Sequence, residues 1–175
     1  MPHLTTALET HPDYALVLVG HSLGGAVAAI AALEFKARGY NPTVTTFGEP
    51  RIGNAALAAY LDARFNLTPS DAASWSANPA FRRVTHADDP VPLLPLSEWG
   101  YAEHGREIFI AKKDLPPSVE DVRFCGKKGD ERCSTDGEWW TRLKLWQMFF
   151  AHRDYFWRLG LCVPEMGFLD TVGEE

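Results

Sequence analysis

The stretch Tyr14-Ala15-Leu16-Val17-Leu18-Val19-Gly20-His21-Ser22-Leu23-Gly24-Gly25-Ala26-Val27-Ala28-Ala29-Ile30-Ala31-Ala32 decides how the rest of the chain reads. A short apolar run closes on Gly20-His21-Ser22-Leu23-Gly24, and an alanine-rich segment of helical character follows at once. Strand, sharp turn and helix in that order make a nucleophile elbow, which lifts a serine hydroxyl clear of a sheet. The turn is crowded, so Gly20 and Gly24 are expected to remove side chains that would collide there, with Gly25 extending the bare surface into the helix.

Working outward, His3 to Glu9 carries Leu4, Ala7 and Leu8 at helical spacing until His11-Pro12-Asp13 breaks it. Tyr14 to Val19 is apolar throughout, which predicts a strand buried on both faces of a parallel sheet. Ser22 to Arg38 reads as a helix ended by Gly39. Thr43 to Phe47 is the next strand, Gly48 to Gly53 a loop, and Asn54 the N-cap of a helix over Ala55 to Phe65. Two βα units in succession imply a parallel sheet. Leu67 to Pro79 is polar and is expected to cover the surface. Phe81 to His86 is a third strand, and turn-rich sequence follows from Ala87 to Pro95. Glu107 to Lys112 is a fourth, reached either by a crossover or as an antiparallel edge hairpin. Asp114 to Gly137 reads as loop, and Glu138 to Phe150 has helical spacing. With no repeat, low-complexity tract or linker, residues 1–175 read as a single domain.

The 175 residues are 46% hydrophobic and 12% aromatic, enough for a substantial core. A net charge of −6 without a basic stripe argues against a nucleic-acid partner. The longest apolar stretch, Leu23 to Leu33, falls short of the ~20 residues of a spanning helix, so no transmembrane segment is predicted. The first ten residues have neither a basic start nor an apolar core, so no signal peptide is read in them. Cys125 and Cys133 are close enough in sequence for a local disulfide; three free thiols is the alternative. Without a CxxC pair zinc is disfavoured, and Cys162 has no obvious mate.

A serine hydroxyl is a weak nucleophile at neutral pH and requires a histidine base oriented by a carboxylate. After an elbow of this kind the chain order is Ser, then Asp or Glu, then His, which removes His3, His11 and His21 as the base. Asp88 and Asp89 follow the Phe81 to His86 strand, at the sheet edge where ligands bind. His104 and His152 lie downstream of both. His152, opening a new segment after a helix, is better placed to return over Ser22. His86 and His104 otherwise read as structural, Arg51 and Asn54 as a structural corner, and Trp139, Trp140, Trp146, Phe149, Phe150, Phe156 and Trp157 as core beneath the histidine. Gly20 to Gly25 lacks the lysine of a phosphate-binding loop.

Gly20-His21-Ser22-Leu23-Gly24-Gly25, Thr46-Phe47-Gly48-Glu49-Pro50-Arg51-Ile52-Gly53-Asn54 and Thr85-His86-Ala87-Asp88-Asp89-Pro90-Val91-Pro92-Leu93-Leu94-Pro95 resemble successive motifs of the fungal class 3 lipases, which include related feruloyl esterases. Ala151-His152-Arg153-Asp154-Tyr155-Phe156 and the later Cys162 are similar to the family's C-terminal end. The resemblance implies an α/β-hydrolase fold, a mostly parallel sheet flanked by helices. It implies Ser22 as nucleophile, Asp89 rather than Asp88 as the acid, His152 as base and the Leu23 N–H as an oxyanion donor. The activity implied is triacylglycerol lipase-like hydrolysis of a lipid or other carboxylic ester through an acyl-enzyme, at a lipid–water interface, without cofactor or metal. Secretion of the full-length form is implied too. In that family earlier strands, a lid, a second oxyanion donor and the partner of a cysteine like Cys162 precede the elbow. The expectation is therefore a C-terminal part of the domain, with N-terminal strands missing and the Tyr14 to Val19 edge open. A catalytically impaired, N-terminally truncated remnant is the alternative reading.

Overall fold

The computed structural model describes residues 2–67, 80–125, 133 and 150–160. In chain order its elements are α1 (Pro2–Thr10), β1 (Val17–His21), α2 (Leu23–Ala37), β2 (Thr43–Phe47), β3 (Gly53–Asn54), α3 (Ala55–Phe65), β4 (Phe81–His86), β5 (Tyr101–Ala102), β6 (Glu107–Ile110) and β7 (Val122–Cys125). Five strands form one sheet in the order β1-β2-β4-β6-β7, parallel at the first three junctions and antiparallel only between β6 and β7. The short β3 and β5 pair antiparallel beside it. This is the mostly parallel, helix-flanked sheet that the two βα units imply.

Side chains alternate along each strand, so the register fixes what each face carries. Val44 and Phe81 are cross-strand partners on one face and pack with Ala29 and Ala32 of α2 and Leu61 and Phe65 of α3. The alanines bring α2 close: a Cβ added at Gly25 would stand 3.2 Å from the Glu49 Cβ and 3.3 Å from the Thr46 Cβ. One step along the same face, a row of paired positions crosses the sheet, Gly20, Thr46, Arg83, Glu107 and Cys125, one per strand. The opposite face carries Val84 and Ile110, which meet Tyr155 in a second, smaller cluster. Burying a residue such as Phe81 or Leu61 contributes roughly 1.5–3 kcal/mol.

Four sequence expectations change. Val17 and Val19 are 55% and 65% exposed, because β1 is the outermost strand on its side of the sheet among the described residues; only Leu18 points into the core. Of the two readings of the fourth strand, the edge hairpin falls and the crossover holds: Glu107 to Ile110 runs parallel to β4, and β7 lies outside it. β7 itself arises within a segment read as loop, since Val122-Arg123-Phe124-Cys125 is too short and too mixed to announce a strand. Leu67 is fully buried in the first cluster, whereas residues 68–79 lie outside the described residues. The helix expected over residues 138–150 also lies outside them up to residue 149.

Candidate active site

Ser22 sits between the end of β1 and the start of α2 with φ 57° and ψ −132°, a backbone conformation that costs a non-glycine residue about 1–3 kcal/mol and persists only when its surroundings impose it. The surroundings are visible. The Ser22 N–H donates to the Phe47 carbonyl at 2.9 Å, and the Ser22 carbonyl accepts from the Gly25 N–H at 2.9 Å. A Cβ on Gly20 would fall 2.2 Å from the Gly24 carbonyl oxygen and 2.6 Å from the Gly25 nitrogen, so the backbone on either side of the serine passes over a bare residue. Gly24 is different from its expectation: among the described residues nothing lies within 4 Å of where its Cβ would stand. The crossing uses Gly24's backbone, not its missing side chain.

Asp89 stands after β4, in a turn closed by its N–H to the His86 carbonyl at 3.1 Å. Its carboxylate is buried and collects donors from three sides. The His152 Nδ1 lies 3.1 Å from Oδ1 and 3.0 Å from Oδ2, the Val91 N–H donates to Oδ1 at 2.9 Å, and the Tyr155 hydroxyl donates to Oδ2 at 2.6 Å. A carboxylate at Nδ1 holds the proton there, leaving Nε2 as the basic nitrogen. Burial, and then the neighbouring Asp89 charge, push the Tyr155 phenol well above its usual range, so it remains a donor. Asp88 turns the other way, with φ 66° and its carboxylate 2.5 Å from the exposed Lys113 ammonium.

Gly48 closes the space between these groups. Its φ is 59°, and a Cβ would stand 2.6 Å from the Tyr155 hydroxyl, 2.9 Å from Asp89 Oδ2 and 3.0 Å from His152 Cε1. His21, the residue before the serine, places Nε2 2.6 Å from the His152 carbonyl oxygen and lays its ring 4.5 Å from the His152 ring. Burial is the chief reason its pKa falls below 6.5. Neither Gly48 nor Tyr155 was given a role by the sequence, and His21 was only removed as a base. Tyr155, three positions after His152 in Ala151-His152-Arg153-Asp154-Tyr155, carried the one usable signal, a polar aromatic beside the base.

A buried charged network supports the other side. Arg51 donates to the carbonyls of Leu93 and Pro95 at 2.8 and 3.1 Å and to Glu103 at 2.8 Å, which makes it the structural corner expected. Arg83 lies 4.0 Å from both Glu103 and Glu107; burial would lower its pKa, but these carboxylates outweigh burial and raise it. The His104 Nε2 lies 3.1 Å from Glu49 Oε1, far from Asp89's partners, so His104 is structural as read. The turn beyond Asn54 is equally local: its Oδ1 accepts from the Leu57 N–H at 3.1 Å and caps α3.

The remaining assignments divide. Cys125 and Cys133 form a disulfide, with Cα atoms 6.1 Å apart, while Cys162 lies outside the described residues. Of the aromatic residues expected beneath the histidine, those from 139 to 149 also lie outside them; Phe150, Phe156 and Trp157 are exposed, Trp157 by 77%, and are not core. Leu23 opens α2, where the helical ladder leaves N–H groups without an internal partner. Among the described residues no helix is long and apolar enough to cross a membrane.

The family description Lipase (class 3) matches residues 1–99. The chain is 51% identical to Lipase A of Sodiomyces alcalophilus, over 94% of this chain and 47% of that protein. It is 47% identical to the secreted mono- and diacylglycerol lipase 2 of Gibberella zeae, with the same shares covered. Among solved structures, the nonglycosylated LIP2 lipase of Yarrowia lipolytica superimposes with a TM-score of 0.78 at 30% identity, covering 93% of this chain and 53% of that one. The chain thus spans about half the length of the curated relatives it matches. Its sheet is that of the α/β-hydrolase lipases, and the elbow at Ser22, the turn at Asp89 and the match over more than half its residues place it in the class 3 lipase family.

Proposed function

We propose that the chain carries the triad of a serine carboxylic ester hydrolase, triacylglycerol lipase-like, with Ser22 as nucleophile, His152 as general base and Asp89 as the acid that orients it. The observation that carries this is the His152 Nδ1 held at 3.0 Å by a carboxylate that is itself fixed by Val91 and Tyr155, with the His152 backbone bonded to His21, the residue before a serine in a strained elbow. Ser22 attacks the ester carbonyl while His152 takes its proton; the imidazolium formed is stabilised by Asp89 and returns the proton to the leaving alcohol. The tetrahedral oxyanion is received by the Leu23 N–H at the positive end of α2. Water then deacylates the serine by the same steps in reverse. No cofactor or metal takes part. The substrate class is a lipid or related carboxylic ester, met at a lipid–water interface, and the full-length protein is secreted, in keeping with relatives that are named as secreted lipases.

Covalent capture tests the reading. A fluorophosphonate should label Ser22 of the folded protein, with Ser22→Ala abolishing both the label and any hydrolysis of a short-chain ester. Folded protein whose Ser22 resists the reagent is a non-catalytic remnant, and the triad assignment then fails.

A further inference from the structure

We propose that His21 is a positioning residue, whose Nε2–H ties the backbone of His152 to the strand end that carries Ser22. The proposal deepens the triad reading and rests on it.

His152 belongs to residues 150–160, a segment that follows β7 by some two dozen positions, and among the described residues its ring is hydrogen-bonded at Nδ1, to Asp89. A ring fixed at Nδ1 still pivots about that contact unless its backbone is held too. His21 supplies the second point, since its Nε2 lies 2.6 Å from the His152 carbonyl oxygen. A carbonyl only accepts, so Nε2 must carry hydrogen. The two rings lie 4.5 Å apart at 36°, and the edge of Tyr155 closes on His21 at 5.9 Å and 81°. Because His21 adjoins Ser22 in the chain, a displacement of the His152 backbone relative to Ser22 must break this bond or bend β1. The bond therefore limits how far the base can be carried from the nucleophile.

The charge state matters as much as the geometry. The titratable groups facing His21 are His152 and Tyr155 from the C-terminal segment and Asp89 from the turn after β4. During the reaction His152 becomes imidazolium, and a second imidazolium at ring-contact distance would oppose it. Burial keeps His21 neutral. A neutral Nε2–H tautomer satisfies both requirements, donating to the carbonyl without adding charge.

The test uses the 175-residue chain with ¹⁵N-labelled histidine, and His21→Gln and His21→Phe variants. Glutamine keeps an N–H donor on a flexible stem; phenylalanine keeps the ring and removes the donor. In the unmodified chain, His21 should be protonated at Nε2 alone at pH 7.5; a Nδ1–H tautomer, or an imidazolium, overturns the proposal and needs neither a variant nor turnover. His21→Phe should lower kcat, and the rate of fluorophosphonate capture, by about 10- to 100-fold with KM within twofold, the loss expected for a base displaced by about 1 Å. His21→Gln should recover at least threefold of that loss. The Nδ1 proton resonance of His152 should broaden in His21→Phe and persist in His21→Gln. A purely structural histidine predicts a lower melting temperature for His21→Phe with unchanged kcat per folded molecule and an unaltered His152 resonance, and that result also overturns the proposal. An unmodified chain that resists capture removes the hydrolase reading, while the tautomer and resonance still decide the positioning.

Discussion

Single atoms govern the space around Asp89, where the His152 ring and the Tyr155 hydroxyl meet its carboxylate. Gly48 borders this space, and the sense of its effect is fixed by two independent facts: a positive φ and no room for a Cβ. Gly48→Ala should therefore destabilise the fold by roughly 1–3 kcal/mol through backbone strain alone. It should also cut Ser22 capture by at least about 100-fold, because the methyl group displaces the Tyr155 hydroxyl and the carboxylate it holds. Thermal denaturation and labelling rate measure the two effects separately. At this scale the turn at Ser22 and the pairing of Asp89 with His152 were legible, the first from its glycines and the second from chain order, which a linear text preserves. Asp88 and Asp89 could not be separated by spacing; the distinction lies in a φ of 66° that sends Asp88 outward to Lys113. Gly48 and Tyr155 act across 41 and 66 positions through contacts with Asp89; Tyr155 left only its place three positions after His152 as a signal, and Gly48 left none.

Helices and strands were more readable than their neighbours. β2, α3 and β4 fall where β-branched residues, an asparagine cap and apolar spacing put them. The Asn54 cap is testable by itself: Asn54→Ala removes the acceptor for the Leu57 N–H and should cost about 1 kcal/mol, read as a lower melting temperature with little change in Ser22 capture, since α3 makes no contact with the triad in the interactions described. β7 escaped because its pairing with β6, and the disulfide that ends it at Cys125, supply the order that its own four residues do not. β1 was recognised as a strand and its edge was expected to lie open, but the exposure of Val17 and Val19 on one of its faces was not foreseen. An apolar run reports that a strand is suited to burial on both faces; which neighbours provide that burial is a property of the sheet.

The molecule as a whole should respond to acid in one direction. His86 is 1% exposed, and burial, the largest influence on it, lowers its pKa below 6.5 against the opposing pull of Asp89, Asp154 and Asp88. The folded state therefore resists protonation that the unfolded chain accepts near 6.5. Stability from this residue is full above that pH and is lost as pH falls below it, at up to about 1.4 kcal/mol per pH unit until the folded pKa is passed. His21 acts with the same sign. Denaturant titrations between pH 5 and 7.5 should show this slope, and His86→Leu should flatten it. The arrangement of strands carries one more consequence. β4, which leads to Asp89, has a hydrogen-bonded neighbour on each side, whereas among the described residues β1, which leads to Ser22, has one. Amide hydrogens should then exchange with solvent faster along β1 than along β4, so that a partial opening of the native molecule loosens the strand before the serine while the strand before the carboxylate stays paired.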